Sequence, residues 1–172
     1  DFPLELVNDY LKAMSDINID FVEIGLRSLK NKNFKGPYAY STNVFLESLN
    51  IPSNLKIGVM INASEIIINN KFSATVLKKL FVNNSSKSII KLIRIACHFN
   101  EFEEAIKSAK ILKKKGYIVG FNLMQIAQCS KKEIISVGEI AQKNKIDVLY
   151  FADSLGGMNP TNVSEIVNLL KN

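Results

Sequence analysis

IIKLIRIACHFNEFEEAIKSAKILKKKGYIVGFNLM, residues Ile89 to Met124, holds two apolar runs with a helical pattern between them. The runs IIKLIRIAC (Ile89–Cys97) and YIVGFNLM (Tyr117–Met124) are short and rich in β-branched and aromatic residues, which suits buried strands. Between them Phe102, Ala105, Ile106, Ala109 and Leu112 form one stripe at helical spacing over Glu101–Lys114. Asn100, with Glu103 three residues on, predicts a capping box at the start of that helix. Gly116 predicts its end. Strand, helix, strand at this spacing implies two parallel strands joined by a crossover helix.

The same rhythm extends in both directions. FVEIG (Phe21–Gly25), LKIGVMI (Leu55–Ile61) and IDVLYFAD (Ile146–Asp153) read as three further strands. Leu4 to Met14 has helical spacing, and a helix fits near Ser73–Phe81. Ser130 and Glu133 repeat the capping pattern before IISVGEIAQKN. Asn159 followed by Pro160 opens the last helix, because proline suits the first helical position. NKNFKGPYAYSTNVFLESL reads as a loop carrying Gly36-Pro37, then a helix capped at Ser41 or Thr42. The class is α/β with parallel strands and crossover helices. A doubly wound sheet and part of a TIM barrel both fit. Residue parity favours the barrel. Glu23, Arg94 and Asn122 sit at alternate positions, against the apolar Val22 and Ile24, Ile93, Ile95 and Cys97, Phe121 and Leu123. One face then packs under helices while the other carries polar groups into a barrel. A doubly wound sheet is apolar on both faces, and no G-x-G-x-x-G loop follows the first strand.

With 172 residues the chain has the length of one domain. No apolar run approaches the ~20 residues of a membrane span, and the N-terminus has no signal-peptide pattern. It also lacks an initiator Met, so the chain reads as a piece of a longer protein. The net charge is +6. Its lysines are dispersed or gathered at a helix C-terminus, as in AKILKKKGY, where cations are favourable. Aromatics do not interleave with them, so nucleic acid is not expected as a partner. Cys97 and Cys129 lack metal-type spacing, and reduced thiols in the cytoplasm are the default.

IDFVEIGLRS, IRIACHFNEFEEA, GYIVGFNLM and VLYFADSLGGMNP occur in this order. Together they resemble the pyruvate-aldolase and hydroxymethylglutaryl-CoA lyase-like barrels, most of all the 4-hydroxy-2-oxovalerate aldolase type. The resemblance runs from about Asp20 to Met158. It implies a partial TIM (β/α)8 barrel and a metal-dependent lyase. In such a barrel Mn²⁺ or Mg²⁺ polarises the oxygens of a 2-oxo acid. Carbon–carbon cleavage then gives pyruvate and an aldehyde. The family's D-x-x-x-R-D-G segment and its H-x-H metal pair have no counterpart here, and a single histidine rules out H-x-H. The expectation is one incomplete barrel domain over residues 1–172, the second to sixth strands, with no metal bound and no activity alone. Two alternatives stay open. One is a Claisen-type acyltransferase like isopropylmalate or citramalate synthase. The other is a non-catalytic partial-barrel module, whose open sheet edges invite pairing; a homo-oligomer is compatible with this.

Candidate site residues follow from position. His98 matches the family's strand-end histidine, not a metal ligand, and either lines the pocket at the C-terminal rim or is a loop residue. Arg94, on the same strand face, needs a partner. Glu23 is the candidate for an internal ion pair; alternatively Arg94 or Arg27 binds a carboxylate. Asn122 faces inward and bonds either substrate or a neighbour. Ser154 matches a small hydroxyl residue near the bound 2-oxo acid, while Asp153 fixes the turn by accepting backbone N–H groups.

Overall fold

The chain alternates strand and helix from end to end, as its periodicities require. The computed structural model describes residues 2–29, 33 and 35–171. The elements are α1 (Leu4–Asp16), β1 (Phe21–Leu26), α2 (Asn43–Glu47), β2 (Lys56–Asn62), α3 (Ala63–Ile66), β3 (Ile67–Ile68), β4 (Lys71–Phe72) and α4 (Ala74–Leu80). They continue with β5 (Ile90–Cys97), α5 (Phe99–Ala105), α6 (Lys107–Lys114), β6 (Ile118–Met124), α7 (Lys131–Lys143), β7 (Val148–Ala152) and α8 (Pro160–Lys171). The loop expected from Asn31 falls partly on residues 31, 32 and 34, outside the described residues.

Strand order decides between the two architectures. The main sheet runs β1-β2-β5-β6-β7 with every pair parallel. Each new strand is added on the same side, so the order never reverses. With right-handed crossovers, that winding puts every connecting helix on one face. A doubly wound sheet reverses its order and is covered on both faces. The fold is therefore a partial, open (β/α)-barrel arrangement.

The helix-covered face holds the core. Val59, Ile61, Ile93, Ile95, Cys97, Val119 and Phe121 are fully buried there and belong to one continuous apolar cluster. Phe102 of α5 meets Phe121 edge-on, with ring centroids 5.8 Å apart, a favoured aromatic geometry. The helix starts carry the expected caps in three places. Ser130 and Glu133 bond reciprocally at α7. Asn159 and Asn162 do so at the start of α8. Thr42 Oγ1 accepts Phe45 N–H at α2. Gly116 ends α6 with φ +81°, a conformation that favours glycine.

Two local expectations are corrected. Asn100 does not cap the central helix but lies inside it. The cap is His98, whose N–H donates to Glu101 Oε2 at 2.9 Å. The helix starts directly off the strand end, with no intervening loop, and this register buries Phe102 and Ala105. Nor is Glu101–Lys114 one helix. It breaks at Ile106, where Ser108 Oγ donates to Ala105 O at 2.6 Å. A serine bonded back to the preceding turn bends a helix in this way. The segment after β2 holds an unanticipated hairpin, β3–β4, turned by Asn69 and Asn70 at φ 50° and 59°. Positive φ at both central residues is the type I′ hairpin turn, which asparagine tolerates.

Candidate active site on the concave face and rim

The sheet face opposite the helices carries the polar residues. On β5 the parity that buries Ile93 and Ile95 turns Arg94 the other way. Its guanidinium grips Glu23 of β1 through two bonds, Nε to Oε2 at 2.7 Å and Nη2 to Oε1 at 2.6 Å. This fork-on-carboxylate geometry is the strongest form of such a pair. The bond to Glu23 holds the Arg94 pKa above its ordinary value. On its other side Arg94 lies 5.9 Å from the ring centroid of Tyr150 on β7.

These contacts skip strands. Between β1 and β5 lies β2, which offers Gly58 opposite Glu23. Between β5 and β7 lies β6, which offers Gly120 opposite Arg94. A Cβ on Gly120 would come within 2.7 Å of Tyr150 Cε2. Gly120 leaves the space in which the Tyr150 ring lies beside Arg94, while Gly58 makes room for Leu92 of β5. The sequence reading missed Tyr150. The available signal was its parity: in VLYFA it alternates with Leu149 and Phe151, which pack on the core.

Asn122 sits on the same concave face, beside Ala96 of β5 and Tyr150 of β7. It is only 8% exposed. Its carboxamide makes no hydrogen bond to any described residue. Among the described residues no fully buried side-chain N or O lacks a partner, so this carboxamide opens onto the concavity, where a ligand can exchange for water.

Ser154, His98 and Asp153 lie at the C-terminal ends of the strands. Ser154 Oγ accepts the Gln125 N–H at 3.4 Å, which joins the rims of β6 and β7. Asp153 accepts N–H bonds from Met158 at 2.7 Å and Gly157 at 3.1 Å. The Met158 N–H in particular holds its carboxyl below the usual range. Arg27 lies elsewhere. A register shift between Glu23 and Leu26 changes the strand's parity, as bulges do. The Arg27 guanidinium lies 5.3 Å from the ring centroid of Phe81, a residue of the helix-side core, and donates to Asn43 Oδ1 at 2.8 Å. Burial pulls its pKa down. Its head is thus held among the outer elements and not in the concavity.

Among the described residues, no group of three or more His, Cys, Asp and Glu could hold a metal ion. These residues do not by themselves fit a divalent cation. Cys97 is buried, and burial with the charge of Glu101 pushes its thiol up to about 12; no nucleophilic role suits it. Among the described residues no helix is long and apolar enough to cross a membrane.

No protein-family model matches the chain. Over 83 residues, 48% of this chain and 24% of the relative, it is 32% identical to the 4-hydroxy-2-oxovalerate aldolase of Pelotomaculum thermopropionicum. The solved N-terminal domain of a proposed aldolase from Bacteroides vulgatus matches it with a TM-score of 0.82 and 27% identity. That match covers 99% of this chain but 55% of the solved one, so the chain spans about half the length of that relative. The chain is thus similar to aldolases in fold along nearly all of its length and in sequence along half of it.

Proposed function

We propose that the chain is part of an aldolase-type carbon–carbon lyase acting on a 2-oxo acid. The reaction is the cleavage of a 4-hydroxy-2-oxo acid: the C4 hydroxyl loses its proton, the C3–C4 bond breaks, and C3 gains a proton. The products are an aldehyde and pyruvate. The observation that carries this reading is Asn122, nearly buried in the concavity with an unspent carboxamide. It lies on the strand after Arg94, below a rim where Ser154 offers a hydroxyl. Similarity to two aldolases supports the same reading.

The residues divide the work. Asn122 and Ser154 bond the oxygens of the 2-oxo acid. Arg94, oriented by Glu23 through Nε and Nη2, keeps Nη1 to donate to the substrate carboxylate. The concave face excludes part of the water, which strengthens both effects. A Mn²⁺ or Mg²⁺ ion is proposed for the whole protein, where it would polarise the oxo group, with ligands drawn from segments beyond the described residues. The proposed setting is the cytoplasm.

The test is pyruvate release from 4-hydroxy-2-oxo acids by the full-length protein with Mn²⁺, coupled to lactate dehydrogenase. Release is expected. Asn122→Ala should lower kcat/KM by about 10²-fold, the usual loss for one oxyanion donor. Absence of pyruvate release, together with consumption of an acyl-CoA and a 2-oxo acid, would instead establish the Claisen chemistry.

A further inference from the structure

A lyase of this kind must also seat the fragment that leaves as the aldehyde. Beside Ser154, between the ends of β5 and β6 and the starts of α5 and α7, lies a cleft of about 450 Å³. Asn100, Gln125 and Gln128 line it with three carboxamides. None of these side chains hydrogen-bonds to a described residue. Gln125 has left-handed backbone, φ 56° and ψ 37°. That is costly without glycine, and such strain gathers where ligands are held. This turn brings the Gln125 N–H to Ser154.

The cleft is hostile to anions. No Lys or Arg lines it, and Glu133 does. The helix starts that border it would ordinarily attract phosphate. Both are already taken by their own carboxylates. Glu101 Oε2 accepts the His98 N–H. Glu133 Oε2 accepts the Ser130 N–H at 2.7 Å and the Ser130 hydroxyl at 2.8 Å. A phosphate or a CoA pyrophosphate placed there would meet the Glu133 carboxylate with no Lys or Arg in the lining to offset it, His98 being the one basic side chain there. Carboxamides, by contrast, both donate and accept, and so match hydroxyl groups.

We infer that this cleft takes an uncharged, hydroxyl-bearing aldehyde, the carbonyl partner in the carbon–carbon cleavage. The inference rests on the lyase reading above, and it separates that reading from one in which a CoA thioester enters here.

The test titrates isotope-labelled full-length protein with erythritol, erythritol 4-phosphate and 1-butanol. These four-carbon probes differ in their polar groups, and none condenses with lysine. Erythritol is expected to shift the side-chain amide signals of Asn100, Gln125 and Gln128. It should bind about ten-fold more tightly than either other probe, the worth of one or two hydrogen bonds. Gln125→Leu should weaken erythritol by about the same factor. Equal or tighter binding of the phosphate or of butanol overturns the inference, as does erythritol that moves none of these amides. Pyruvate titrated in parallel, with the Asn122 side-chain amide as its reporter, separates the two failures. A response at Asn122 with none to erythritol sinks the cleft assignment alone. A response to erythritol with none at Asn122 leaves a neutral polyol site and removes the lyase reading.

Discussion

Phe121 and Asn122 are neighbours in sequence and face opposite worlds. Phe121 is fully buried against α5, in a layer of apolar side chains contributed by every strand of the sheet. Asn122 faces a concavity shared with an ion pair, a phenol ring and two glycines. One face excludes water by packing and has few options for change. The other keeps polar groups at partial exposure, where they can exchange water for a ligand. The sheet thus keeps its continuous core on one face and its polar groups on the other, and a period of two residues maintains the separation.

The contrast can be broken most directly at that pair. Phe121→Ala should cost about 3–5 kcal/mol, the range for an aromatic removed from a core. Asn122→Ala should cost no more than about 1 kcal/mol. Urea denaturation of the two variants measures both, and equal losses would end the division of roles. Next in size is Gly120→Ala, which would push a methyl into the Tyr150 ring. A loss of about 1–3 kcal/mol is expected from such overpacking. The double variant with Tyr150→Ala should recover most of it, and a failure to recover would place the strain elsewhere.

The Glu23–Arg94 pair comes third. Both side chains are 27% exposed, so solvent screens them and their coupling should be about 1 kcal/mol. A double-mutant cycle with Glu23→Gln and Arg94→Met reads that number. A coupling that is unchanged in 1 M salt would show the pair to be drier than its exposure implies.

The smallest effect is at Asp153. Its pKa is lowered, chiefly by the Met158 N–H, so the folded state binds its proton less tightly than the unfolded chain. The resulting stability is present above the unfolded value of about 3.9 and is lost as pH falls through the folded one. Thermal melts below about pH 4 should therefore show a shallower acid loss in Asp153→Asn than in the parent. Parallel curves would mean that the turn does not depend on the charge.

Much of this was legible because periodicity is a direct imprint of burial. The five main strands, the caps at Thr42, Ser130 and Asn159, and the inward parity of Glu23, Arg94 and Asn122 all follow from spacing. The remainder depends on contacts between segments distant in sequence. Asn100 and His98 both precede a glutamate by three residues, and only the packing of Phe102 on Phe121 chooses between them. Alternation carried through β1 does not reveal the register shift that sends Arg27 outward. Tyr150 is inconspicuous within an apolar run until Gly120 is placed opposite its ring. The Asn69-Asn70 turn was readable as a hairpin signal, but the two-residue strands beside it are too short to register as alternation.

Glu23 and Tyr150 each reach Arg94 across one intervening strand. Adjacent strands lie about 4.8 Å apart, so a side chain that bridges past one strand is a chord drawn across an arc. Two such chords meet at Arg94, and they span the sheet from its first strand to its last. The side chains that line the hollow thus also tie the two outermost strands of the sheet to its middle one.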